Sequence, residues 1–420
     1  MTKLQDIRLT PDPSKVLMQF FFPGNERRVS NILERIYGLS EKRAKILLQD
    51  VIESFSDRHR NIRKSFESNF RNIKKYIAED LPLSAVKKML IGAYFSKEYS
   101  IESAALFNPS IVLHPEQDKN TGTKFILSLR ATGEGHISSI EFRTGIVDKK
   151  GEIRLEPASS FASSGMVSND GRNLDEGYEI KFDRRIPLSE RVLFPASDSE
   201  SHGMEDARMV RFQDEDSSAV YYGTYTAYNG RNTSIRMVET KDFINFKITS
   251  LKGKAVKDKG MALFPRKVNG KYMMISRQDG ENLFFMQSDD IYTWDKMKLL
   301  RMPFNDWEFI QVGNCGSPIE TEAGWILLTH GVGPVRTYVI SAILLDLKDP
   351  SRVIAYLPDP IITASEQERN GYVPNVVYSC GSILHNGRLI VPYAMADSAS
   401  GIAVYEVDEL LKRFVKITEQ

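Results

Sequence analysis

The feature that most constrains the fold is a pair of strands that recurs along the chain. Each copy contains a strand ending in a polar residue, a small turn, and a second strand closed by an acidic turn. The copies start at Phe125, Val220, Lys271, Gly324 and Arg388. The last four starts lie about 50 to 65 residues apart, which is typical of one four-stranded blade per repeat. The pattern predicts a mainly β chain folded as a five-bladed β-propeller; a β-sandwich with long loops is the alternative.

A segment of different character precedes the repeats. Between residues 25 and 107 the apolar residues recur with a period near 3.6, as in Val29, Ile32 and Leu33, and the stripe continues through Ile46 to Phe55. Ser40 and Ser84 are suited to cap helices. The sequence therefore predicts an N-terminal helical extension, which mediates self-association into a homo-oligomer or covers the pocket. The predicted division is a lead-in at 1–24, a helical segment at 25–107, a propeller at 108–411 and a tail at 412–420.

Charge and composition exclude several partners. The 56 Lys and Arg against 55 Asp and Glu leave a net charge of +1, so no global field attracts nucleic acid or anionic lipid. The sequence has neither a signal-like N-terminus nor an apolar run of about 18 residues, so no membrane association is expected. Cys315 and Cys380 lack metal-ligand spacing and are expected to be buried free thiols, which indicates a cytoplasmic protein.

Aligned repeats bring polar residues to equivalent positions. In a propeller these positions surround one axis, so charged and polar side chains from separate blades would converge there. Such a site suits an anionic or polyhydroxylated ligand, whereas salt bridges at the blade ends are the alternative. The equivalent residues are Arg130, Thr226, Arg277, His330 and Asp397.

A second concentration of charge lies before a predicted strand, at Glu205, Asp206 and Arg208. If the run is extended, the two carboxylates point to opposite sides, so that one pairs with Arg208 and the other faces the pocket. A partly desolvated carboxyl has a raised pKa and can serve as a general acid, whereas a loop ion pair is the alternative. Lys259 enters an apolar strand and could present its ammonium group to an anion.

Several motifs together resemble one family. They include GMEDAR around Asp206, YGTYTAYNG from Tyr222, KDKGMALFPRKVNGKY from Lys257, GYVPNVVYSCG from Gly371 and YAMADSASGIAV from Tyr393. In this order they resemble the inverting β-mannoside phosphorylases and β-mannosidases, which are five-bladed β-propellers. The resemblance extends over about residues 108–411.

The resemblance implies a division of labour. Asp206 would be the general acid, acting through the 3-hydroxyl of the sugar. No metal or cofactor is implied, and phosphate would be the co-substrate in a single inverting displacement that yields mannose 1-phosphate. The mannoside would be held by Asn108, Arg130, Glu205, Arg208 and Asp397, and phosphate by a cationic group of Lys259, Arg277 and His330.

Two alternatives stay open at this point. The family's usual phosphate-binding Arg is replaced by Ser234, with Arg236 two residues on, and hydrolytic members use water with a carboxylate base. Glu134 or Glu141 could be that base in an inverting β-mannosidase acting, for example, on β-1,2-mannosides. A propeller that binds sugar without catalysis is the other alternative.

Overall fold

The structure is a computed structural model that describes residues 3–4, 7–117, 122–171, 173–216 and 218–417. The chain is mainly β and divides into two compact units. A helical unit comprises Asp12–Ser103 and Ser159–Ser163. A β unit comprises Met1–Pro11, Ala104–Ala158 and Ser164–Gln420, beginning with strand β1 (Lys3–Leu4).

Side-chain caps define the helices of the helical unit. Each of the four helices begins after an Asn or Ser whose side chain accepts a hydrogen bond from a main-chain N–H of the first turn. The predicted caps Ser40 and Ser84 are confirmed. The elements are β2 (Val16–Phe20), α1 (Glu26–Tyr37), α2 (Glu41–Phe55), α3 (Ile62–Ile73), α4 (Ala85–Tyr94) and β3 (Ser96–Ser100).

One apolar core holds these helices together. Val29 and Leu33 are buried as predicted, but Ile46 and Phe55 are exposed, because Ala44 and Leu48 define the buried face of α2. Helices α3 and α4 approach closely at Gly92, where a Cβ would lie 2.0 Å from the main-chain oxygen of Phe66. Strands β2 and β3 pair in antiparallel fashion.

Within the described residues, the strands of the β unit form five antiparallel meanders. An insertion between the first two meanders contributes β8 (Met166–Ser168), β9 (Gly177–Lys181) and β10 (Val192–Leu193). The first meander contains β4 (Ala105–Leu113), β5 (Thr123–Thr132), β6 (Ser138–Val147) and β7 (Ile153–Leu155). The second contains β11 (Gly203–Gln213), β12 (Ala219–Tyr228), β13 (Thr233–Thr240) and β14 (Asn245–Ser250). The third contains β15 (Lys259–Leu263), β16 (Tyr272–Arg277), β17 (Leu283–Ser288) and β18 (Lys296–Arg301).

The last two meanders have a divided first strand, whose two pieces pair with the same neighbour. The fourth contains β19 (Gln311–Asn314), β20 (Ile319–Thr321), β21 (Gly324–Val332), β22 (Tyr338–Leu345) and β23 (Val353–Tyr356). The fifth contains β24 (Val377–Tyr378), β25 (Ile383–His385), β26 (Arg388–Met395) and β27 (Ala399–Glu406). Helix α5 (Val407–Leu411) and strand β28 (Val415–Lys416) follow.

The chain ends complete two of these sheets. Strand β1 pairs with β27 and so supplies the fourth strand of the fifth meander, whereas β28 pairs with β23. Consecutive meanders contact one another, and β4 of the first meander also contacts β26 and β27 of the fifth. Apolar clusters fill the spaces between sheets, and Cys315 and Cys380 are buried free thiols, as predicted.

Candidate active site

The first strands of three meanders share a β-bulge at the same position. In β4, β11 and β15 one extra residue interrupts the antiparallel register near the start of the strand. The residue inside each bulge has a left-handed backbone, with φ of 48° at Asn108, 54° at Asp206 and 78° at Gly260. A bulge redirects side chains away from the regular alternation of a strand, and bulges often occur beside functional sites.

Register confirms the sequence alignment of the repeats. The residue before each bulge pairs with the aligned polar residue at or near the end of the second strand, and the fourth meander has an equivalent pair without a bulge. The pairs are Phe107–Arg130, Glu205–Thr226, Lys259–Arg277 and Gly313–His330. Residues that are far apart in sequence therefore occupy equivalent positions in their meanders.

Asp206 lies at the centre of a hydrogen-bonded group. Its Oδ1 accepts a hydrogen bond from Asn108 Nδ2 at 2.7 Å and another from Arg130 Nη1 at 3.3 Å. Arg130 also donates to Glu205 Oε1 at 2.8 Å and to Ser138 Oγ at 2.8 Å. The structure thus brings three of the predicted residues, Asn108, Arg130 and Glu205, together around a fourth, Asp206.

The expected separation of Glu205 and Asp206 is wrong. Both carboxylates contact Arg130, because the left-handed backbone at Asp206 breaks the alternation of an extended strand. Arg208 does not bind either carboxylate within hydrogen-bond distance; its Nη1 donates to the main-chain oxygen of Asp206 at 3.0 Å.

Arg208 is buried and held by polar partners from other meanders. It donates to the Tyr378 hydroxyl at 2.6 Å and to Asn314 Oδ1 at 3.3 Å. The amide of Asn314 donates in turn to the main-chain oxygen of Gly260. A Cβ on Gly260 would lie 4.0 Å from Arg208 Nη2 and 3.8 Å from Arg277 Cβ, so the glycine lies between the two arginines.

Two further cations lie near this group. Lys259 Nζ is 3.9 Å from Glu205 Oε2, and its side chain is 39% exposed. Arg277 pairs with Lys259 across the strands and donates from Nε to Asp258 Oδ2 at 3.1 Å. Lys259, Arg277 and Arg208 therefore form a cationic cluster beside Asp206.

The His330 ring lies beside this cationic cluster but does not carry a positive charge. The ring is buried, stacks on Tyr338 with centroids 5.8 Å apart, and lies 4.8 Å from the Tyr378 ring. Burial lowers the pKa of His330 well below its ordinary value, and the fields of Arg277 and Arg208 lower it further. The expectation that His330 supplies positive charge is wrong, because burial beside cations keeps the imidazole neutral.

The pKa values of the two aspartates shift in opposite directions. Burial acts to raise the pKa of Asp206, but Arg130, Arg208, the Asn108 hydrogen bond and Lys259 together bring that pKa below its ordinary value. The prediction of a raised pKa at Asp206 is therefore wrong for the free protein. Burial and the neighbouring Asp206 charge raise the pKa of Asp397 to about 6.

A small cavity adjoins Asp397 and Arg130. Its volume is about 110 Å³, and Asp397 and Arg130 both line it. Arg130 packs over the Phe107 ring with its Cζ 5.0 Å from the ring centroid, which fixes the guanidinium against the cavity wall. Arg130 connects this cavity to Asp206 through its hydrogen bond, whereas neither Asp206 nor the cationic cluster lines it.

Sequence reasoning missed the residues that orient the cations. Tyr378, Asn314 and Asp258 each hydrogen-bond an arginine of the cluster, yet none was singled out. Asn314 follows the Gly313–His330 pair in β19. Asn314 could have been found from the sequence by aligning the first strands of the repeats as well as the second strands.

The alternative bases and Arg236 lie in other settings. Glu141 is fully buried in β6 and accepts from Arg143 at 3.1 Å, whereas Glu134 is exposed in a turn. Arg236 is fully buried and donates to Glu200 Oε1 at 3.0 Å, so it does not replace the arginine that is absent at Ser234.

Comparison with known proteins decides the family. The sequence model of glycoside hydrolase family 130, described as beta-1,4-mannooligosaccharide phosphorylase, matches residues 167–416. The chain belongs to this family. The beta-1,2-mannobiose phosphorylase of Thermoanaerobacter sp. (strain X514) is 33% identical over 322 residues, which are 75% of this chain and 94% of that protein.

Other family members extend the comparison. The 1,2-beta-oligomannan phosphorylase of the same organism is 34% identical over 251 residues, covering 58% of this chain and 78% of that protein. The solved beta-1,2-mannobiose phosphorylase of Listeria innocua, in complex with beta-1,2-mannobiose, is 22% identical with a TM-score of 0.52. The aligned region covers 74% of this chain and 92% of the solved chain. At this identity the comparison supports the fold alone.

Proposed function

We propose that this chain is an inverting β-mannoside phosphorylase that produces mannose 1-phosphate. The observation that carries the proposal is a single carboxylate, Asp206, placed between two different groups. One group contains Asn108, Arg130 and the cavity at Asp397, which suits a sugar. The other is the cationic cluster of Arg208, Lys259 and Arg277, which suits a phosphate dianion. Family membership and the activities of the named relatives support the same reaction.

The reaction is a single displacement. A phosphate oxygen attacks the anomeric carbon of the mannosyl unit while the bond to the leaving oxygen breaks, and inversion of the β-linkage yields α-mannose 1-phosphate. Asp206 supplies a proton, which reaches the leaving oxygen through the sugar 3-hydroxyl. Lys259 and Arg277 bind and orient the phosphate, and no metal or cofactor takes part.

Phosphate binding prepares Asp206 for this role. In the free protein, nearby cations keep its pKa below the ordinary value. A bound phosphate dianion offsets the positive field of Arg208 and Lys259, so the carboxyl takes up a proton more readily when the nucleophile is present. Asp206 is therefore protonated mainly in the complex that contains bound phosphate, which is the complex that reacts.

Asn108, Arg130, Glu205 and Asp397 act on the sugar side of the site. Asn108 and Arg130 both donate to Asp206 and so hold its carboxylate in place, while Glu205 positions Arg130. Buried His330 packs against Tyr378 and lines the phosphate side as a neutral donor or acceptor. Arg208 orients the strand ends around Gly260 as well as contributing charge.

β-1,2-Linked mannooligosaccharides are the proposed substrates, because the named relatives at 33% and 34% identity act on β-1,2-linked mannosides. Purified protein is incubated with phosphate and either β-1,2- or β-1,4-mannobiose, and mannose 1-phosphate is measured. Preferential release from the β-1,2-linked disaccharide supports the assignment. If mannose 1-phosphate is released from β-1,4-mannobiose alone, the β-1,2 assignment is wrong and the enzyme is specific for the β-1,4 linkage.

Hydrolysis is the second candidate, and the setting of the carboxylates weighs against it. Glu141 is buried and bound to Arg143, and Glu134 lies in an exposed turn, so neither lines the cavity at Asp397. A sugar-binding protein without catalysis would have no use for a cationic cluster next to a carboxylate that is held by two donors.

The five meanders form a closed five-bladed β-propeller in this proposal. Contacts between consecutive meanders, and between β4 and the strands β26 and β27, support the closure. Pairing of β1 with β27 adds a strand that precedes the first meander to the sheet of the last one, which also supports closure. The predicted boundaries at 1–24, 25–107, 108–411 and 412–420, the homo-oligomer and the cytoplasmic location remain proposals. Among the described residues, no helix has both the length and the apolar character needed to span a membrane.

A further inference from the structure

Two aromatic rings stand at the cavity beside Asp397, and the mechanism uses neither. His136 and Tyr372 line this cavity together with Phe107, Arg130, Thr132 and Asp397. The two rings contact each other, with centroids 5.6 Å apart and planes 32° from parallel. Tyr372 is 62% exposed, so one face of its ring is open to a ligand at the cavity.

The backbone fixes Tyr372 to the turn that contains Asp397. The Tyr372 N–H donates to Ser398 Oγ at 2.8 Å, and the Val373 N–H donates to the main-chain oxygen of Ala396 at 3.0 Å. Gly371 lies so close to this turn that a Cβ would be 2.5 Å from Ser398 Oγ. The exposed ring therefore keeps a defined position relative to Asp397.

A tight turn fixes His136 in a similar way. The turn of Glu134–His136 follows β5, and His136 itself has a left-handed backbone with φ of 59°. The His136 N–H donates to the Gly133 oxygen, and the Gly133 N–H donates to the Ile137 oxygen, both at 3.1 Å. The chain thus holds a second exposed ring against Tyr372 at the cavity mouth.

The lining of the cavity matches the two faces of a pyranose. A hexose ring has an apolar face of C–H bonds and an edge of hydroxyls. Rigid aromatic rings pack on the first at low entropic cost, and ionised side chains hydrogen-bond the second. Here, Asp397 and Arg130 supply the ionised groups while His136 and Tyr372 supply the rings, within one cavity.

We infer that His136 and Tyr372 form an aromatic platform that packs against the mannosyl unit whose hydroxyls Arg130 and Asp397 bind. This inference rests on the proposed function and adds two specificity-determining residues to it. Because the platform contacts the transferred sugar and not the leaving sugar, its contribution is the same for every β-mannoside. It is also the same for mannose 1-phosphate in the reverse reaction.

Matched variants test the platform. Tyr372→Ala removes a ring, whereas Tyr372→Phe keeps the ring and removes only the hydroxyl. His136→Asn removes the imidazole but suits a left-handed backbone. Val335→Asn is the control, because Val335 has a φ of 57°, occupies the corresponding turn of the fourth meander, is 90% exposed and does not line the cavity.

KM is measured for β-1,2-mannobiose, β-1,2-mannotriose and mannose 1-phosphate. The platform predicts that Tyr372→Ala and His136→Asn raise KM by up to about tenfold for all three, with kcat within about twofold. Tyr372→Phe and Val335→Asn should behave like the wild type. An unchanged KM in Tyr372→Ala, or a loss limited to one acceptor and absent with mannose 1-phosphate, would overturn the platform.

Calorimetric titration with mannose separates this inference from the proposed function. If the wild type releases no mannose 1-phosphate but binds mannose more tightly than Tyr372→Ala does, the proposed function fails and the platform stands. If phosphorolysis proceeds and Tyr372→Ala binds mannose as the wild type does, the platform fails and the function stands. A wild type that binds no mannoside overturns both.

Discussion

At the scale of single residues, the site depends on the hydrogen bonds that the Asp206 carboxylate accepts. Asp206 Oδ1 accepts from both Asn108 and Arg130, and the same Arg130 binds Glu205. This arrangement leaves the free protein with an ionised Asp206 and a neighbouring Asp397 whose pKa is raised to about 6. The pKa values of these two neighbouring carboxyl groups are therefore separated, and in the proposed mechanism the bound phosphate is what raises the pKa of Asp206.

Replacement of Asp206 tests the acid directly. Asp206→Asn keeps the shape of the side chain and suits the left-handed backbone, but it removes the transferable proton. We expect kcat to fall by about a hundredfold or more in a variant that still folds and unfolds cooperatively. Asp289→Asn, at an exposed ion pair of the third meander, is the control. Normal turnover in folded Asp206→Asn would remove the assignment.

Asp397 gives a prediction for stability against pH. Its pKa in the folded protein is about 6, above the ordinary 3.8, so the group favours folding below about pH 4 and that advantage is lost as pH rises through 6. Asp397→Asn avoids the burial of an ionised group. The variant should equal the wild type near pH 4 and exceed it by up to about 3 kcal/mol at pH 8.

Urea unfolding at several pH values measures this difference. The same variant should lose activity, since Asp397 lines the proposed sugar cavity. A stability difference that is independent of pH between 4 and 8 would show that Asp397 does not titrate in this range.

Lys259 tests the phosphate side. It is the most exposed member of the cationic cluster, so Lys259→Ala should fold normally. Loss of one charge-assisted contact costs about 1.5 to 3 kcal/mol, which predicts an increase of at least about tenfold in the KM for phosphate. Lys257→Ala, two residues earlier and exposed, serves as the control. An unchanged KM for phosphate in Lys259→Ala would place the nucleophile elsewhere.

At the scale of secondary-structure elements, the repeated bulge creates the site. It gives Asn108, Asp206 and Gly260 the same left-handed backbone at the same position of three first strands. Two of these residues meet in a hydrogen bond, and the third leaves space between Arg208 and Arg277.

Substitutions at Asn108 separate backbone from side chain. Asn108→Gly accepts φ of 48° but loses the hydrogen bond to Asp206, so it should fold like the wild type and lose about tenfold in kcat/KM. Asn108→Val forces a β-branched residue into a left-handed backbone and should also lose about 1 to 2 kcal/mol of stability. Thermal unfolding with kinetics checks both, and equal stability of the two variants would contradict the role of the bulge.

The sequence predicts the second strands better than the first. Arg130, Arg277 and His330 lie at or near the ends of apolar strands in a repeated strand pair, so their alignment is visible without coordinates and is confirmed by the register. The bulges are not visible in this way, because they depend on pairing with a neighbouring strand. For that reason the common direction of Glu205 and Asp206 could not be predicted.

Burial is the other property that sequence reasoning could not supply. His330 looks like a cation until its ring is seen packed against two tyrosines beside two arginines, where it stays neutral. Arg236 keeps its charge, but its ion pair with buried Glu200 makes that charge unavailable to a ligand. Charge at a site follows from desolvation and neighbours as well as from residue type.

At the scale of the whole molecule, residues from all five meanders meet at the site. Arg130 comes from the first, Asp206 from the second, Lys259 and Arg277 from the third, and Asn314 from the fourth. The fifth meander contributes Tyr378 and, in the turn after β26, Asp397. The site therefore exists only when the meanders are assembled, and β1 completes the last of them.

NMR of the complete reaction tests the central claim most directly, with the phosphorus spectrum reporting mannose 1-phosphate and the proton spectrum reporting mannose and the disaccharide. Wild-type protein is incubated with β-1,2-mannobiose in buffered phosphate and, in parallel, in a phosphate-free buffer, and the products are followed in both. We predict that α-mannose 1-phosphate forms in equal amount to the disaccharide consumed, and that cleavage stops without phosphate. If both sugar units are released as free mannose, and at the same rate without phosphate as with it, the account is contradicted and the reaction is hydrolysis.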